Sequence, residues 1–142
     1  KADIPVVTLP DNSGSLRGIA GRYEDVAGPA HTFSPLNVWD IALNQGSHLT
    51  LSQPEGWSTA LVVMEGTITV NGTAQAGEAQ LVVLSQQGDT LHLEASLDAK
   101  VLLMAGKPLN EPIVGYGPFV MNSKTEIAEA IRDFNSGRFG QI

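Results

Sequence analysis

Short apolar segments, separated by turn residues every eight to twelve positions, run through most of the chain. At the centre, residues 60–64 form an apolar run rich in Val and Leu, which Glu65-Gly66 interrupts. Residues 67–70 then alternate polar and apolar side chains, and Asn71-Gly72 follows as a strong hairpin signal. The pattern predicts a central hairpin, with strands over 60–64 and 67–70, around which the other strands pack.

The same patterning predicts further strands on both sides of this hairpin. They cover residues 4–9, 16–23, 36–43, 48–53, 80–84, 90–95 and 100–105. Gly18 and Gly21 are typical of a bulge or a close backbone approach, and residues 26–35 are predicted to be loop. Many short strands at this spacing favour an all-β antiparallel sandwich or small barrel.

The chain changes character after the last predicted strand. Residues 106–118 contain three of the eight prolines and are predicted to lack regular structure. Ser123 and Glu126 have the spacing of a capping box, in which each side chain satisfies a free amide at a helix start. Apolar side chains then recur at helical spacing, at Ile127, Ile131 and Phe134. An amphipathic helix is therefore expected over about 124–136.

Length and composition narrow the class of protein. A chain of 142 residues suits one domain, and we expect a β-barrel over 1–106 with 107–142 as a C-terminal extension of the same domain. The net charge of -7 argues against direct binding to nucleic acid or an anionic membrane. The absence of Cys excludes disulfides, thiolate metal ligands and thiol nucleophiles, and favours a cytoplasmic protein. No apolar run approaches the ~20 residues of a membrane helix, and the first residue, Lys1, suggests a piece of a longer chain.

Several stretches resemble the pirin family. The most specific is Gly-Tyr-Gly-Pro-Phe-Val-Met-Asn at 115–122, which is followed by the capped helix and by Ser-Gly-Arg-Phe-Gly at 136–140. Residues 105–113 resemble the family's approach to that ending. Ile-Ala-Gly at 19–21 and Gly-Pro-Ala at 28–30 resemble its transition into the second domain. The resemblance covers nearly the whole chain but only the second half of a pirin.

Pirins are two-cupin proteins, so the resemblance implies a cupin-type barrel or jelly roll with one C-terminal helix. It also implies a single metal site, usually iron, in the N-terminal barrel, which this chain lacks. The expected partner of this chain is that N-terminal cupin domain. Some pirins are quercetin 2,3-dioxygenases, and others are described as transcriptional co-regulators or modulators of metabolic enzymes. No metal, cofactor or catalytic residue is expected in this chain itself.

The metal ligands of a cupin can be placed on this sequence by the same resemblance. Counting back from Gly66, the Glu ligand falls at Thr59, and the two His ligands fall at Ser52 or Gln53 and at Pro54 or Glu55. Counting on from Gly88, the last His ligand falls at Leu91. None of these residues is histidine and Leu91 cannot bind a metal, whereas a divalent ion needs about three protein ligands. The resemblance therefore predicts a metal-free barrel.

The three histidines offer an alternative metal site only if several of them share a face. Leu91 is predicted to face the core, so its neighbour His92 should point outward, and His48 is likewise out of phase with its apolar neighbours. His31 lies in a predicted loop. A site built from His48, His92 and Asp40 would contradict these alternations, so solvated histidines are favoured.

Other candidate residues have two interpretations each. Glu65 could point into the barrel as an acid or base, but a solvated residue at a strand end is the more common role. Trp39 and Trp57 could line a ligand pocket or could pack in the core. The C-terminal helix could cover its own barrel or dock onto the partner barrel. In the second case the interface residues would be Tyr116, Phe119, Ile127, Ile131 and Phe134.

Three functions remain open from the sequence. The favoured one is a structural and partner-binding role for this chain, without chemistry of its own. In the second, the intact protein is a metal-dependent dioxygenase acting on flavonols, and this half shapes or shields that site. In the third, the intact protein is a regulator that binds another protein.

Overall fold

The computed structural model describes residues 4–140. These residues form two compact units, the first extending to Pro108 and the second beginning at Leu109. This division lies two residues from the expected boundary at 106, and the assignment of both parts to one domain stays a prediction. In the described part of the chain, no helix is long and apolar enough to cross a membrane.

The first unit contains two antiparallel sheets. The strands of the larger sheet are β1 Val6–Thr8, β2 Gly14–Ala20, β5 Leu36–Leu43, β7 Ser58–Glu65, β10 Leu81–Val83 and β12 Ala99–Gly106. The strands of the smaller sheet are β6 His48–Ser52, β8 Thr67–Val70, β9 Ala74–Gly77 and β11 Thr90–Ala95. Their orders are β1-β2-β5-β12-β7-β10 and β6-β11-β8-β9. A short separate pair joins β3 Arg22–Tyr23, at the end of the strand predicted over 16–23, to β4 Val26–Ala27, which lies in the segment predicted to be loop.

One hydrophobic core draws on both sheets, which confirms the all-β cupin-like fold. Ile41 and Val101 contribute to it from the larger sheet, and Ile68 and Leu93 from the smaller. Along β11 the burial alternates residue by residue, because neighbouring side chains of a strand point to opposite faces. The apolar positions that predicted the strands are therefore the positions that fill the core.

The predicted central hairpin is wrong in its pairing. β7 belongs to the larger sheet and β8 to the smaller, so the chain changes sheets at Gly66. Gly66 has φ +78°, and a Cβ there would lie 2.2 Å from the Asp98 carbonyl oxygen. The Asn71-Gly72 turn instead joins β8 to β9, with positive φ at both residues. β9 was not predicted, because Ala-Gln-Ala-Gly has little intrinsic strand preference.

Glycines also shape the start of the chain as the sequence predicts. The register of β2 against β5 shifts between Gly18 and Ala20, which is the expected bulge. Gly21 has φ +75°, and a Cβ there would lie 2.1 Å from Asn37 Oδ1. Only a glycine allows this close approach, and two residues further on Tyr23 is buried against Trp39.

The second unit combines a hairpin with a helix. The hairpin strands are β13 Val114–Tyr116 and β14 Phe119–Met121, and the helix is α1 Lys124–Asn135. The prediction that 106–118 lacks regular structure is wrong for β13. Pro118 lies in the turn and not in a strand, so its missing N–H removes no ladder hydrogen bond.

The helix confirms the predicted capping box. Ser123 Oγ accepts the Glu126 N–H at 3.2 Å, and Glu126 Oε2 accepts the Asn122 N–H at 3.1 Å. The helix contacts both strands of the hairpin, and Ile127 and Ala130 are its buried residues. The cap therefore determines where the helix begins. The small apolar face of the helix determines how the helix packs on the hairpin.

Candidate functional site

The structure decides which of the aligned ligand positions face the interior of the barrel. Gln53, Thr59 and Leu91 are buried, with 6%, 7% and 3% of their surfaces exposed. Ser52 and Pro54 are exposed, and so is Glu55. The aligned positions that face the interior thus hold an amide, a hydroxyl and an aliphatic side chain. Gln53 continues the inward-facing series of Leu49 and Leu51 in β6.

These side chains do not suit a divalent metal ion. Gln53 and Thr59 are neutral oxygen donors, and Leu91 has no donor atom, whereas protein metal sites use about three or four ionised or imidazole ligands. Across residues 4–140, no group of three or more His, Cys, Asp or Glu is placed to hold a metal. The metal-free state of this barrel stays a prediction, supported by the chemistry of the three interior residues.

A cavity of about 240 Å³ has the three buried aligned ligand positions in its wall. Gln53, Thr59 and Leu91 line it together with apolar side chains. These are Trp57, Val70, Val82 and Leu84, and polar side chains, including Asn71, Thr73, Ser85 and Gln87, line the rest of the cavity. Among the lining residues Asp89 is the one with a charge, and its carboxylate accepts the Thr90 hydroxyl at 2.8 Å. The cavity is therefore a mostly neutral space with an acidic residue on its wall.

Gln53 is held firmly at one end of its side chain. Its Oε1 accepts a hydrogen bond from Asn37 Nδ2 at 2.9 Å, and Asn37 Oδ1 in turn accepts the Arg22 N–H at 3.1 Å. The Gln53 backbone N–H donates to the Asp89 carbonyl at 2.8 Å. Gln53 Nε2 has no hydrogen-bond partner within residues 4–140. The arrangement leaves one buried N–H donor group available.

A second, more open cavity of about 680 Å³ adjoins Gln53 and is lined by Tyr23 and Trp39. The two rings meet edge to face, with centroids 5.3 Å apart and an angle of 82°. Burial, followed by the charge of Glu24, raises the pKa of Tyr23. Trp39 Nε1 also lacks a hydrogen-bond partner in the described part of the chain. This end of the barrel therefore carries two buried N–H groups without protein acceptors.

The histidines do not assemble into a site. His48 and His92 are exposed on the smaller sheet, as their alternation predicts, and His92 Nδ1 lies 3.0 Å from Thr50 Oγ1. Asp40 lies in the larger sheet and is 3.9 Å from Arg17 Nη1. His31 is also exposed. The structure therefore does not bring together the alternative set of His48, His92 and Asp40.

The other two-way interpretations are separated by burial. Glu65 is exposed and pairs with Lys100 at 2.7 Å, which is the common role of a strand-end carboxylate. Trp39 is a core residue with 3% exposure, whereas the half-buried Trp57 lines the cavity. Sequence reasoning did not single out Gln53 as a functional amide. The signal was present, because Leu49, Leu51 and Gln53 continue one alternating face.

The candidate interface residues differ in how accessible they are. Tyr116 and Phe134 are 68% and 63% exposed, Phe119 and Ile131 are half-buried, and Ile127 is buried. Phe119, Phe134 and Phe139 form an aromatic cluster, with ring centroids 5.9–6.4 Å apart. The second unit therefore presents a partly exposed aromatic surface, of which the buried Ile127 is not an accessible part.

Comparisons with known proteins give a consistent result. The family model described as the pirin C-terminal cupin domain matches residues 38–140. A Pseudomonas aeruginosa protein named as a candidate quercetin 2,3-dioxygenase is 53% identical over 138 residues, covering 97% of this chain and 48% of that protein. Rat pirin is 34% identical over 140 residues, covering 94% of this chain and 48% of that protein. The crystal structure of a quercetin 2,3-dioxygenase from Acinetobacter baumannii superposes with a TM-score of 0.89 and 52% identity, over 99% of this chain and 49% of that one. The chain thus spans about half the length of the relatives it matches.

Proposed function

This chain belongs to the pirin family as a C-terminal cupin domain, and we propose that it is the metal-free, structural and partner-binding half of a longer two-cupin protein. The observation that carries the proposal is the interior of the barrel. The positions of the expected metal ligands hold Gln53, Thr59 and Leu91, which cannot chelate a divalent ion. Any metal-dependent chemistry of the parent protein would then reside in the other half.

The activity we propose for the parent protein is the ring-opening dioxygenation of a flavonol, with iron or another divalent metal held in its N-terminal cupin domain. The names of the relatives at 53% and 52% identity support this choice. The roles of this chain would be to pack against the metal-bearing domain and to shape or shield its site. Regulation of transcription or metabolism through a bound protein is the alternative.

Elemental analysis and a quercetin-consumption assay, on this chain and on the full-length parent, test the proposal. In this chain we expect no stoichiometric iron and no turnover of quercetin. In the iron-loaded parent we expect stoichiometric iron and turnover of quercetin. Iron or turnover in this chain would refute the metal-free assignment. An iron-loaded parent that leaves quercetin intact would eliminate the dioxygenase and leave the regulatory alternative.

The aromatic surface of the second unit is the part that we propose to contact the N-terminal cupin domain. Phe134 is 63% exposed in this chain, although a large apolar side chain is normally buried or in an interface. Replacing it with Ser should lower the unfolding midpoint of the full-length parent by several degrees. The same substitution in the 142-residue chain should have a much smaller effect, because less apolar surface is buried there.

Leu97→Ser is the matched control for this surface. Leu97 is 54% exposed but lies in the first unit, between β11 and β12. Its substitution should have similar small effects in the short chain and in the parent. Equal effects of Phe134→Ser in the two proteins would contradict the proposed docking of the aromatic surface.

A further inference from the structure

We propose that the 240 Å³ cavity of this barrel binds a neutral single-ring compound through an acceptor oxygen, with the Gln53 side-chain amide as the hydrogen-bond donor. The site lies within this chain and requires no metal. Ligand binding at this site is therefore a further property of the domain, and it does not depend on which activity the parent protein has.

The donor is the clearest sign that the cavity takes a ligand. Gln53 is 94% buried, its Oε1 is occupied by Asn37, and its Nε2 has no acceptor among residues 4–140. Buried amide groups in folded proteins nearly always have a hydrogen-bond partner. Because the oxygen of Gln53 is already satisfied, the partner that this side chain requires is an acceptor, such as a carbonyl oxygen.

The size and walls of the cavity define the rest of the ligand. An apolar cavity of about 150 Å³ is large enough to hold benzene, so 240 Å³ accommodates one ring with a short substituent. Trp57, Val70 and Leu91 provide apolar walls for such a ring. The volume is below the ~300–1,000 Å³ of typical ligand pockets. A three-ring flavonol would not fit, so this ligand is distinct from the flavonol proposed for the parent.

The charge of the lining residues excludes ionic ligands. Asp89 contributes a carboxylate, and the lining contains no Lys, Arg or His to balance it. An anion would therefore be repelled and would also lose its hydration. A cation would leave the Gln53 N–H without an acceptor. A neutral carbonyl compound satisfies both conditions.

Binding requires a small movement of the amide. Gln53 Nε2 is covered by its neighbours, so a ligand oxygen reaches it only after a limited rotation of the terminal amide. That torsion joins an sp³ to an sp² carbon and is soft. The same rotation displaces Oε1, so the hydrogen bond from Asn37 opposes it and limits its extent. The ligand therefore shifts an existing side chain and does not have to open the barrel.

Titration of the 142-residue chain with benzamide tests the site. Trp57 lines the cavity, so its fluorescence should change saturably, and the response should disappear in Trp57→Phe although Trp39 remains. The side-chain NH₂ signals of Gln53 should shift in ¹H–¹⁵N spectra over the same concentration range. Toluene, which has no acceptor, and benzoate, which is an anion, should each bind at least about tenfold more weakly.

Variants identify the donor. Gln53→Leu should weaken benzamide binding by about tenfold or more, whereas Gln75→Leu, on the exposed face of β9, should bind like the wild type. Gln53→Met replaces the amide with an apolar chain of similar length, in case the Leu variant does not fold. A response that does not saturate, Gln53 signals that do not move, or equal affinities in the Gln53 variants would overturn the proposal. Ordered water would then be the partner of this amide.

Discussion

Gly66 is the residue at which the chain passes from the larger sheet to the smaller, and its replacement by Ala should be unusually destabilising. Two effects combine at this position. The left-handed conformation, with φ +78°, costs an L-residue about 1 kcal/mol. In addition, the new Cβ would lie 2.2 Å from the Asp98 carbonyl oxygen and 2.9 Å from Ala99 Cα. Both atoms belong to the backbone, so relief requires β12 or the preceding turn to move.

The second effect can be measured against a matched glycine. Gly72 has φ +65° in the turn at the other end of β8, and a Cβ there meets nothing within 4 Å. Gly72→Ala should therefore lose only the conformational part, about 1 kcal/mol. Gly66→Ala should lose that amount plus about 1–3 kcal/mol for overpacking, which gives a total of about 2–4 kcal/mol.

Thermal and urea unfolding, followed by circular dichroism, check the difference. At about 3 °C per kcal/mol for a chain of this size, Gly72→Ala should lower the midpoint by about 3 °C and Gly66→Ala by about 6–12 °C. Equal losses in the two variants would refute the reasoning, because the close approach to the Asp98 carbonyl would then carry no cost. The result matters for the cavity, since β7 contributes Thr59 and β8 contributes Val70 to its lining.

Three further predictions concern the aromatic barrel end, the helix and the interior. The free energy of unfolding should fall as the pH rises above about 10, because the raised pKa of Tyr23 keeps this side chain protonated in the folded state while it ionises in the unfolded chain. In thermal melts at pH 7 and pH 11, Tyr23→Phe should remove the part of the stability loss that comes from this tyrosine. Ser123→Ala should destabilise the second unit by about 1 kcal/mol, measured by hydrogen exchange of the helix amides, since the cap to the third helical N–H is lost. Iron titration with elemental analysis should detect about one metal ion per chain in a variant that carries Gln53→His, Thr59→Glu and Leu91→His.

Controls accompany these three predictions. Tyr116→Phe removes the hydroxyl of an exposed tyrosine and is the control for the substitution itself. Ser123→Thr keeps a capping hydroxyl and should retain most of the protection of the helix. The metal variant has a control in Ser52→His, Pro54→His and Thr59→Glu, because the first two of these positions are exposed. If this control bound metal as well as the interior variant does, the assignment of the interior positions would be wrong.

Prediction from the sequence succeeded where the signal is local. The observed bounds of β5, β8 and β11 are the predicted ones, and the helix begins after Ser123 as the capping box requires. Alternation also placed Leu91 inside the barrel and His92 outside. These features depend on side-chain period and on hydrogen bonds between near neighbours, which a single sequence contains.

The candidate site was less predictable, because its residues meet only after folding. The count from Gly66 left Ser52 and Gln53 as alternatives, and only burial distinguished them. The Asn37 contact that fixes Gln53 joins β5 of the larger sheet to the residue that follows β6 of the smaller sheet, and no local pattern in the sequence indicates it. The same reason explains why β9 was missed, since it exists through its pairing with β8.

By itself, the sequence determined that this protein is a barrel of short strands with one capped helix, and that Leu91 cannot bind a metal. Only the tertiary structure decided that β7 and β8 join different sheets, that residues 114–121 form a hairpin, and that the interior Gln53 side chain has an N–H group without an acceptor among residues 4–140. The physical reason is that side-chain period is a property of each strand alone. Sheet membership and hydrogen-bond satisfaction depend instead on partners that are distant in the chain.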